Sequence, residues 1–133
     1  MKTFTSTFFA LAFFGASVFG AAIPAGGASN DVKAVKRSYS GDATYYYQYG
    51  VAGSCGVYHA DSDVIVALSS SQMSPDLCGR TIRVSRPGYN DIYPTVADTC
   101  PGCGYGSIDL STGAFDQIGA EAEGRIQVTW DFV

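Results

Sequence analysis

The sequence predicts a mainly β domain closed into a small barrel. Three observations predict it: short β-prone runs separated by Gly- and Pro-bearing turns, a pattern for one short helix, and about 96 residues in which to place them, enough for one modest core but not two. A sheet of so few short strands leaves edges unpaired unless it curls on itself, and closure removes them.

The runs justify the strands in order. Residues 44–49 (TYYYQY) are aromatic and β-prone, 64–69 (VIVALS) form a short apolar run, and 81–85 (TIRVS) and 93–97 (YPTVA) are further candidates. Residues 125–132 (RIQVTWDF) alternate most clearly, with Ile126, Val128, Trp130 and Phe132 on one face, so Trp130 reads as core. Gly53, Pro75, Gly79, Pro87-Gly88 and the 101–104 segment (PGCG) punctuate the gaps. One helix is expected after Ser111, which can cap it; Ala114, Phe115 and Ile118 supply a stripe at helical spacing, and Gly119 fits its end.

Upstream of these runs the character changes. Lys2, the apolar stretch 8–19 and the small residues Gly20, Ala21 and Ala22 predict a signal peptide over 1–22. Residues 23–37, rich in Pro, Gly, Ala and Ser and closing on Lys36-Arg37, predict a propeptide or linker ending at a dibasic processing site, although an uncleaved solvated pair is the plainer alternative. The folded domain is then 38–133, in a secreted, extracellular protein. No other stretch approaches the roughly 20 apolar residues of a membrane span.

Charge narrows the partners. Lys2, Lys33, Lys36 and Arg37 lie upstream, leaving Arg80, Arg83, Arg86 and Arg125 against every acidic residue but Asp31. An acidic domain is repelled by phosphate backbones and anionic lipid, so neither nucleic acid nor membrane is expected, and a neutral polysaccharide suits it better. A monomer is expected. The four cysteines imply two disulfides, with three possible pairings; Cys55–Cys78 with Cys100–Cys103 is preferred. As a redox dithiol, Cys100-Pro-Gly-Cys103 lacks the following apolar helix, and as a zinc site it lacks a second such pair. His59, the one histidine, stands without metal-ligand or nucleophile partners and reads as a surface residue.

The ordered set GDATYY (41–46), GSCG (53–56), VIVALS (64–69), CGRTIRV (78–84), VADTC (96–100), SIDLSTGAF (107–115) and GRIQVTW (124–130) resembles the expansin-related, RlpA-like double-psi β-barrel family across nearly the whole domain, DLSTGAF being its most specific element. It is similar in form to short, single-domain fungal members such as loosenins. The resemblance implies a six-stranded double-psi β-barrel with one or two short helices and a groove that binds cell-wall polysaccharide (cellulose, chitin or another β-glucan), loosening it without hydrolysis.

It also implies a site. Asp109 falls at the family's groove aspartate, the general acid of hydrolytic relatives; capping the next helix is the plainer role for an Asp there. Asp98 falls at the aspartate of the expansin T-D motif, with Ala97 in place of the threonine, so Asp98 and Asp109 form a candidate carboxylate pair; a purely structural role in its loop is the plainer reading of Asp98. Thr44 matches the first-strand threonine that can hydrogen-bond a carboxylate or sugar. Tyr46 shares a face with Thr44 and Gln48, whereas Tyr45, Tyr47 and Tyr49 share the other. Tyr47 stands where endoglucanase relatives carry their basic aspartate, which argues against hydrolysis. Cys100 stands where bacterial expansins carry a tyrosine, and Tyr105 in the same loop is its candidate substitute. No cofactor is implied, and no flavin motif is present. Expansins carry a second, β-sandwich domain; with the sequence ending at Val133 right after the barrel, weaker affinity for insoluble polymer is expected. Two alternatives accompany this reading: an inhibitor of papain-like cysteine proteases, acting through loops, and a weak glycan-cleaving enzyme of the lytic transglycosylase or endoglucanase type.

Overall fold

The structure is a computed structural model and describes residues 37–133. The expected signal peptide, and the propeptide up to Lys36, lie outside the described residues. Six strands follow in order, β1 (Tyr39–Tyr46), β2 (Ile65–Ser69), β3 (Ile82–Ser85), β4 (Thr95–Cys100), β5 (Ile108–Ser111) and β6 (Ile126–Phe132), with one helical turn, α1 (Thr112–Phe115), between β5 and β6. Their order in the sheet is β3-β6-β1-β5-β2-β4. The pairs β1–β5 and β2–β4 are parallel, and β1–β6, β2–β5 and β3–β6 are antiparallel.

The two outer strands of that order also meet. Val96 N–H donates to Arg80 O at 2.7 Å, Ile82 N–H to Pro94 O at 3.1 Å, and Val84 and Ile92 exchange both backbone bonds. The sheet thereby closes into the expected barrel. Its interior holds Val66, Leu68, Ile82, Val84, Val96, Ile108, Leu110 and Trp130, and Phe115 and Ile118 cover one side.

Strand β6 follows its sequence pattern: Ile126, Val128 and Trp130 are buried, and Phe132 packs against the core from a half-buried position. Trp130 is core, as expected. Its ring lies 4.5 Å from that of Tyr39, and its Nε1–H donates to Gly106 O at 2.9 Å, which satisfies the buried indole.

Strand β1 departs from the expected 44–49. It starts at Tyr39, because Tyr39 packs on Trp130 and because Gly41, an unpromising strand residue, lets the strand lie directly on the backbone of Gly106 and Ser107. It ends at Tyr46, since Val51 N–H bonds back to Gln48 O at 3.0 Å and Tyr49 and Gly50 take positive φ of 51° and 69°. Strand β4 runs Thr95–Cys100, later than expected: Pro94 has no N–H to donate, and Tyr93 is exposed.

Strand β5 is a short four-residue segment that periodicity does not mark. Ser111 caps α1 as expected, its Oγ accepting from Ala114 N–H at 3.3 Å and donating to Asp63 O at 2.5 Å. The helix is a single turn, and Ile118 reaches the core from the turns after it. Gly119 is not a left-handed cap; a side chain there would crowd Arg86 Nη1 at 3.0 Å.

Both disulfides take the preferred pairing, Cys55–Cys78 with Cα atoms 5.7 Å apart and Cys100–Cys103 with 5.4 Å. Cys55–Cys78 fastens the 53–56 loop to the strand-closing segment at Gly79, whose N–H donates to Val96 O at 2.9 Å.

A methyl at Gly41 would overlap the Gly106 carbonyl. Gly41→Ala is expected to cost about 1–3 kcal/mol, the range for forced overpacking. Chemical or thermal denaturation against wild type checks it, a loss of that size lowering the midpoint by about 4–8 °C per kcal/mol in a domain this small.

Candidate functional site

The strand register assembles the site. Parallel pairing sets Thr44 of β1 opposite Asp109 of β5; antiparallel pairing sets Asp109 opposite Ala67 of β2; parallel pairing sets Ala67 opposite Asp98 of β4. Thr44, Asp109, Ala67 and Asp98 form one row across four neighbouring strands. With strands about 4.8 Å apart, the two aspartate backbones lie roughly 10 Å from one another. Ala67, set between them, is itself buried.

A β-bulge is what turns Asp98 toward this row. Val66 pairs with Val96, yet Ala67 pairs with Asp98, so Ala97 is the extra residue. In unbroken register Ala97 would sit opposite Ala67, and Asp98 would share the inward face of Val96. One inserted residue re-aims the carboxylate from core to groove.

The 53–56 loop then clamps the bulge. Cys55 N–H donates to Ala97 O at 3.3 Å, and Asp98 Oδ1 accepts from the N–H groups of Ser54 and Thr99, both at 2.8 Å. Ser54 Oγ bonds Thr99 Oγ1 at 2.7 Å. Gly53 is required here because a Cβ would come within 2.5 Å of Ala97 O and 3.0 Å of Asp98 Cγ.

Asp109 is held differently. Its Oδ1 accepts from the Thr44 hydroxyl at 2.8 Å. Burial raises its pKa above the ordinary 3.8, the Thr44 bond opposes the rise, and the Asp98 charge adds to it. Asp109 therefore holds its proton to higher pH than an ordinary aspartate does. It does not cap α1, a role taken by Ser111.

Tyr46, at the same edge, feels both carboxylates. Its phenol is pushed up to about 12, by burial first and then by the Asp98 charge. The hydroxyl is buried beside Asp98 and Gln48. Tyr45 and Tyr47 turn to the opposite face as the alternation expects: Tyr45 packs on Phe115 at 4.9 Å, and Tyr47 Oη donates to Glu121 Oε2 at 2.9 Å.

From Thr44 the groove continues into a pocket of about 240 Å³, lined by Asp42, Ser107, Arg125 and the turn at 102–104 beside the Cys100–Cys103 disulfide. Two of its lining residues are paired, Arg125 Nη1 donating to Asp42 Oδ2 at 2.7 Å. Tyr105 is not brought to the carboxylates. It stands exposed against Tyr39, with ring centroids 6.0 Å apart, in the turn before β5 and four residues ahead of Asp109. His59 faces Asp63 at 3.2 Å on the exterior and has no part in the groove.

Sequence reasoning united Thr44, Asp98 and Asp109 through the resemblance and added Tyr46 by its alternation with Thr44. It missed the supporting parts, namely the bulge at Ala97, the clamp from Gly53 and Ser54, and Gln48. Alternation placed Gln48 beside Tyr46, but nothing in the sequence marked its amide as buried.

No protein-family model and no curated protein matches the chain. Solved structures do. Streptomyces papain inhibitor superposes with a TM-score of 0.66 at 33% identity, over 73% of this chain and 94% of that one. Apo Clavibacter michiganensis expansin gives 0.66 at 32% identity, and a variant of it in complex with cellohexaose gives 0.65 at 31%, each over 73% of this chain and 50% of the expansin. This chain thus spans about half the length of those expansins. The fungal elicitor cerato-platanin, at 15% identity and a TM-score of 0.52, shares the fold.

These likenesses and the closed six-stranded barrel define the class, a double-psi β-barrel. The chain belongs to the expansin-related family of that fold.

The raised Asp109 pKa has a definite sign in stability. A carboxyl that binds its proton more tightly when folded stabilises most below its unfolded value, and the contribution falls as pH rises through 3.8 toward the raised folded value. Asp109→Asn, which keeps an acceptor for Thr44, is expected to match wild type in acid and to exceed its melting temperature at neutral pH. Melting curves from pH 3 to 7 check it, with carboxyl ¹³C titration reading the Asp109 pKa directly.

Proposed function

We propose that the protein is secreted and holds a chain of neutral cell-wall polysaccharide in the Thr44–Asp109–Ala67–Asp98 groove, loosening polymer packing without net hydrolysis. The observation that carries the reading is that row: two carboxylates and a hydroxyl on one half-buried strip, with no cation paired to either carboxylate among the described residues. Such a strip accepts hydrogen bonds from sugar hydroxyls and repels anions. Tyr46 adds a half-buried ring at its edge. Loosening requires groups that compete for interchain hydroxyls, and no nucleophile. The two disulfides suit an oxidising extracellular setting. The expansin solved with cellohexaose supports the choice of a β-glucan as ligand.

Hydrolysis is the weaker reading, because Tyr47, where endoglucanase relatives place their base, turns away from the groove to Glu121. A second reading has an observation of its own. The papain inhibitor is matched over 94% of its length, against half of the expansins. The surface available for it is the segment after β1, where Tyr49, Val51, Val57 and Tyr58 are exposed.

Pull-down on insoluble cellulose and chitin is expected to deplete the protein, with Asp109→Asn bound roughly tenfold more weakly, the scale of losing a charged hydrogen-bond acceptor. No soluble sugar should be released. Retention by neither polymer, with stoichiometric inhibition of papain, would replace the glycan reading by the inhibitor reading.

A further inference from the structure

A second cleft lies apart from the carboxylate row, on the outer surface of β3, β6 and β1. Its volume is about 590 Å³, more than twice that of the pocket beside Thr44 and within the span of small-molecule sites. One row of the sheet forms its floor. Antiparallel pairing sets Ser40 of β1 opposite Thr129 of β6, and Thr129 opposite Ser85 of β3, so three neighbouring strands each bring one hydroxyl residue. Ser40 and Thr129 are exposed and Ser85 is half-buried, on the face that alternates away from the buried Val84, Val128 and Trp130.

The turn at 86–89 forms a wall. Tyr89 N–H donates to Arg86 O at 3.1 Å, Pro87 takes the second position and Gly88 has a φ of 91°, the pattern of a type II turn. Arg86 is held in place: Nη1 donates to Ile118 O at 2.7 Å, Nη2 to Glu123 Oε1 at 2.8 Å, and the guanidinium lies 4.8 Å from the centre of the Tyr89 ring. Tyr89 is thus fixed through its backbone and its ring, yet remains 46% exposed. An aromatic held in this way has little freedom to lose when a ligand lies on it.

The charges restrict the ligand. Arg86 is the one cation among the lining residues, and Glu123 already meets its charge; Asp91 is the one anion there and has no basic partner among the described residues. An anion would find no free cation and would meet Asp91. A wholly apolar ligand would cut the hydroxyl row and the carboxylate off from water without replacing it. A neutral sugar ring suits both parts, with hydroxyls for the row and for Asp91 and a C–H face for the tyrosine ring. We propose that this cleft is a second saccharide site, which takes one neutral pyranose against Tyr89 and the Ser40–Thr129–Ser85 row without help from Asp98 or Asp109. Two such sites on one small domain strengthen its hold on an insoluble polymer, where many chains are presented together.

The test is a backbone-amide NMR titration of the protein with cellotriose and with the chitin trimer, carried to saturation or to the limit of solubility. Two separate sets of shifts are expected, one around Thr44, Asp98 and Asp109 and one around Ser85, Tyr89 and Thr129. Tyr89→Leu, which removes the flat ring, and Thr129→Val, which removes a hydroxyl and keeps the shape, should each weaken the cleft set about three- to tenfold. Neither should move the affinity of the groove set, and Asp109→Asn should leave the cleft set unchanged. A merely structural role for Tyr89 would not separate the two sets.

Shifts in the groove with none in the cleft would overturn the second site and leave the groove reading standing. Shifts in the cleft alone would uphold it and count against the groove, and shifts in neither would remove both. Inorganic phosphate is the control: shifts around Tyr89 with phosphate but not with either trimer would assign the cleft to anions and overturn the proposal. The wild-type map needs no variant, so it decides the site even where a substituted chain fails to fold.

Discussion

The parallel register of β1 on β5 is the constraint from which the site follows. It places Thr44 directly opposite Asp109, and their 2.8 Å hydrogen bond holds the buried carboxyl. Parallel neighbours cannot be joined by a tight hairpin, so β1 and β5 are far apart in sequence and the intervening chain must be accommodated elsewhere in the barrel. Close approach of their leading ends depends on Gly41 and Gly106, whose backbones touch where any side chain would intrude. The indole of Trp130 bonds Gly106 O from the core side, so the same contact that seats the strands also completes the core. Fold and site are set by one packing event.

The second parallel pair, β2 on β4, does the corresponding work for Asp98 by a different device. There the register is broken, and the break is useful. Because Ala97 is the extra residue of the bulge, its carbonyl is free to accept from Cys55, and Asp98 turns to the groove, where its Oδ1 accepts from two backbone amides. The Cys55–Cys78 disulfide limits how far the clamping loop can stray. One aspartate is thus anchored by a loop and the other by a strand neighbour, and the distance between them is governed by the sheet rather than by side-chain flexibility. Preorganisation of this kind reduces what a ligand must order on binding.

How much of this was legible beforehand depended on which physical signal each part leaves in sequence. Strand β6 alternates because one face is buried and the other wet, and its reading held on the apolar face, while Asp131 on the other face is buried and paired with Arg83. The pairing of the cysteines and the capping by Ser111 were also readable, the first as a preference among three and the second from local chemistry. Strand β5 leaves no periodic trace in four residues, and β1 hides its first half behind Gly41 and Asp42, residues that a strand tolerates only because of what lies against them. The row of site residues was supplied by the family resemblance, since no local rule pairs positions 44, 98 and 109. Tyr105 shows the limit of reasoning from a shared loop: it lies in the turn before β5, four residues ahead of Asp109, and packs on Tyr39 and not beside the carboxylates.

The distribution of charge gives the groove its character. Arg83 is paired with Asp131, Arg86 with Glu123 and Arg125 with Asp42, and Arg80 lies over the Phe132 ring. The strongest effect of this pairing is at Glu123, whose pKa Arg86 draws down to about 2. The two groove aspartates are left facing one another with no such compensation. The Asp98 charge adds to the cost of ionising Asp109, and no basic side chain among the described residues offsets it. Keeping the cost preserves an acceptor surface that cations of the protein itself do not fill. A ligand able to relieve it must bring hydrogen-bond donors without negative charge, a condition that an unmodified glucan meets and a nucleic acid or an anionic lipid does not. A protease bound through the exposed loop at 49–58 would leave the two carboxylates unrelieved, so the inhibitor reading, even where it succeeds, would still lack a reason for their arrangement.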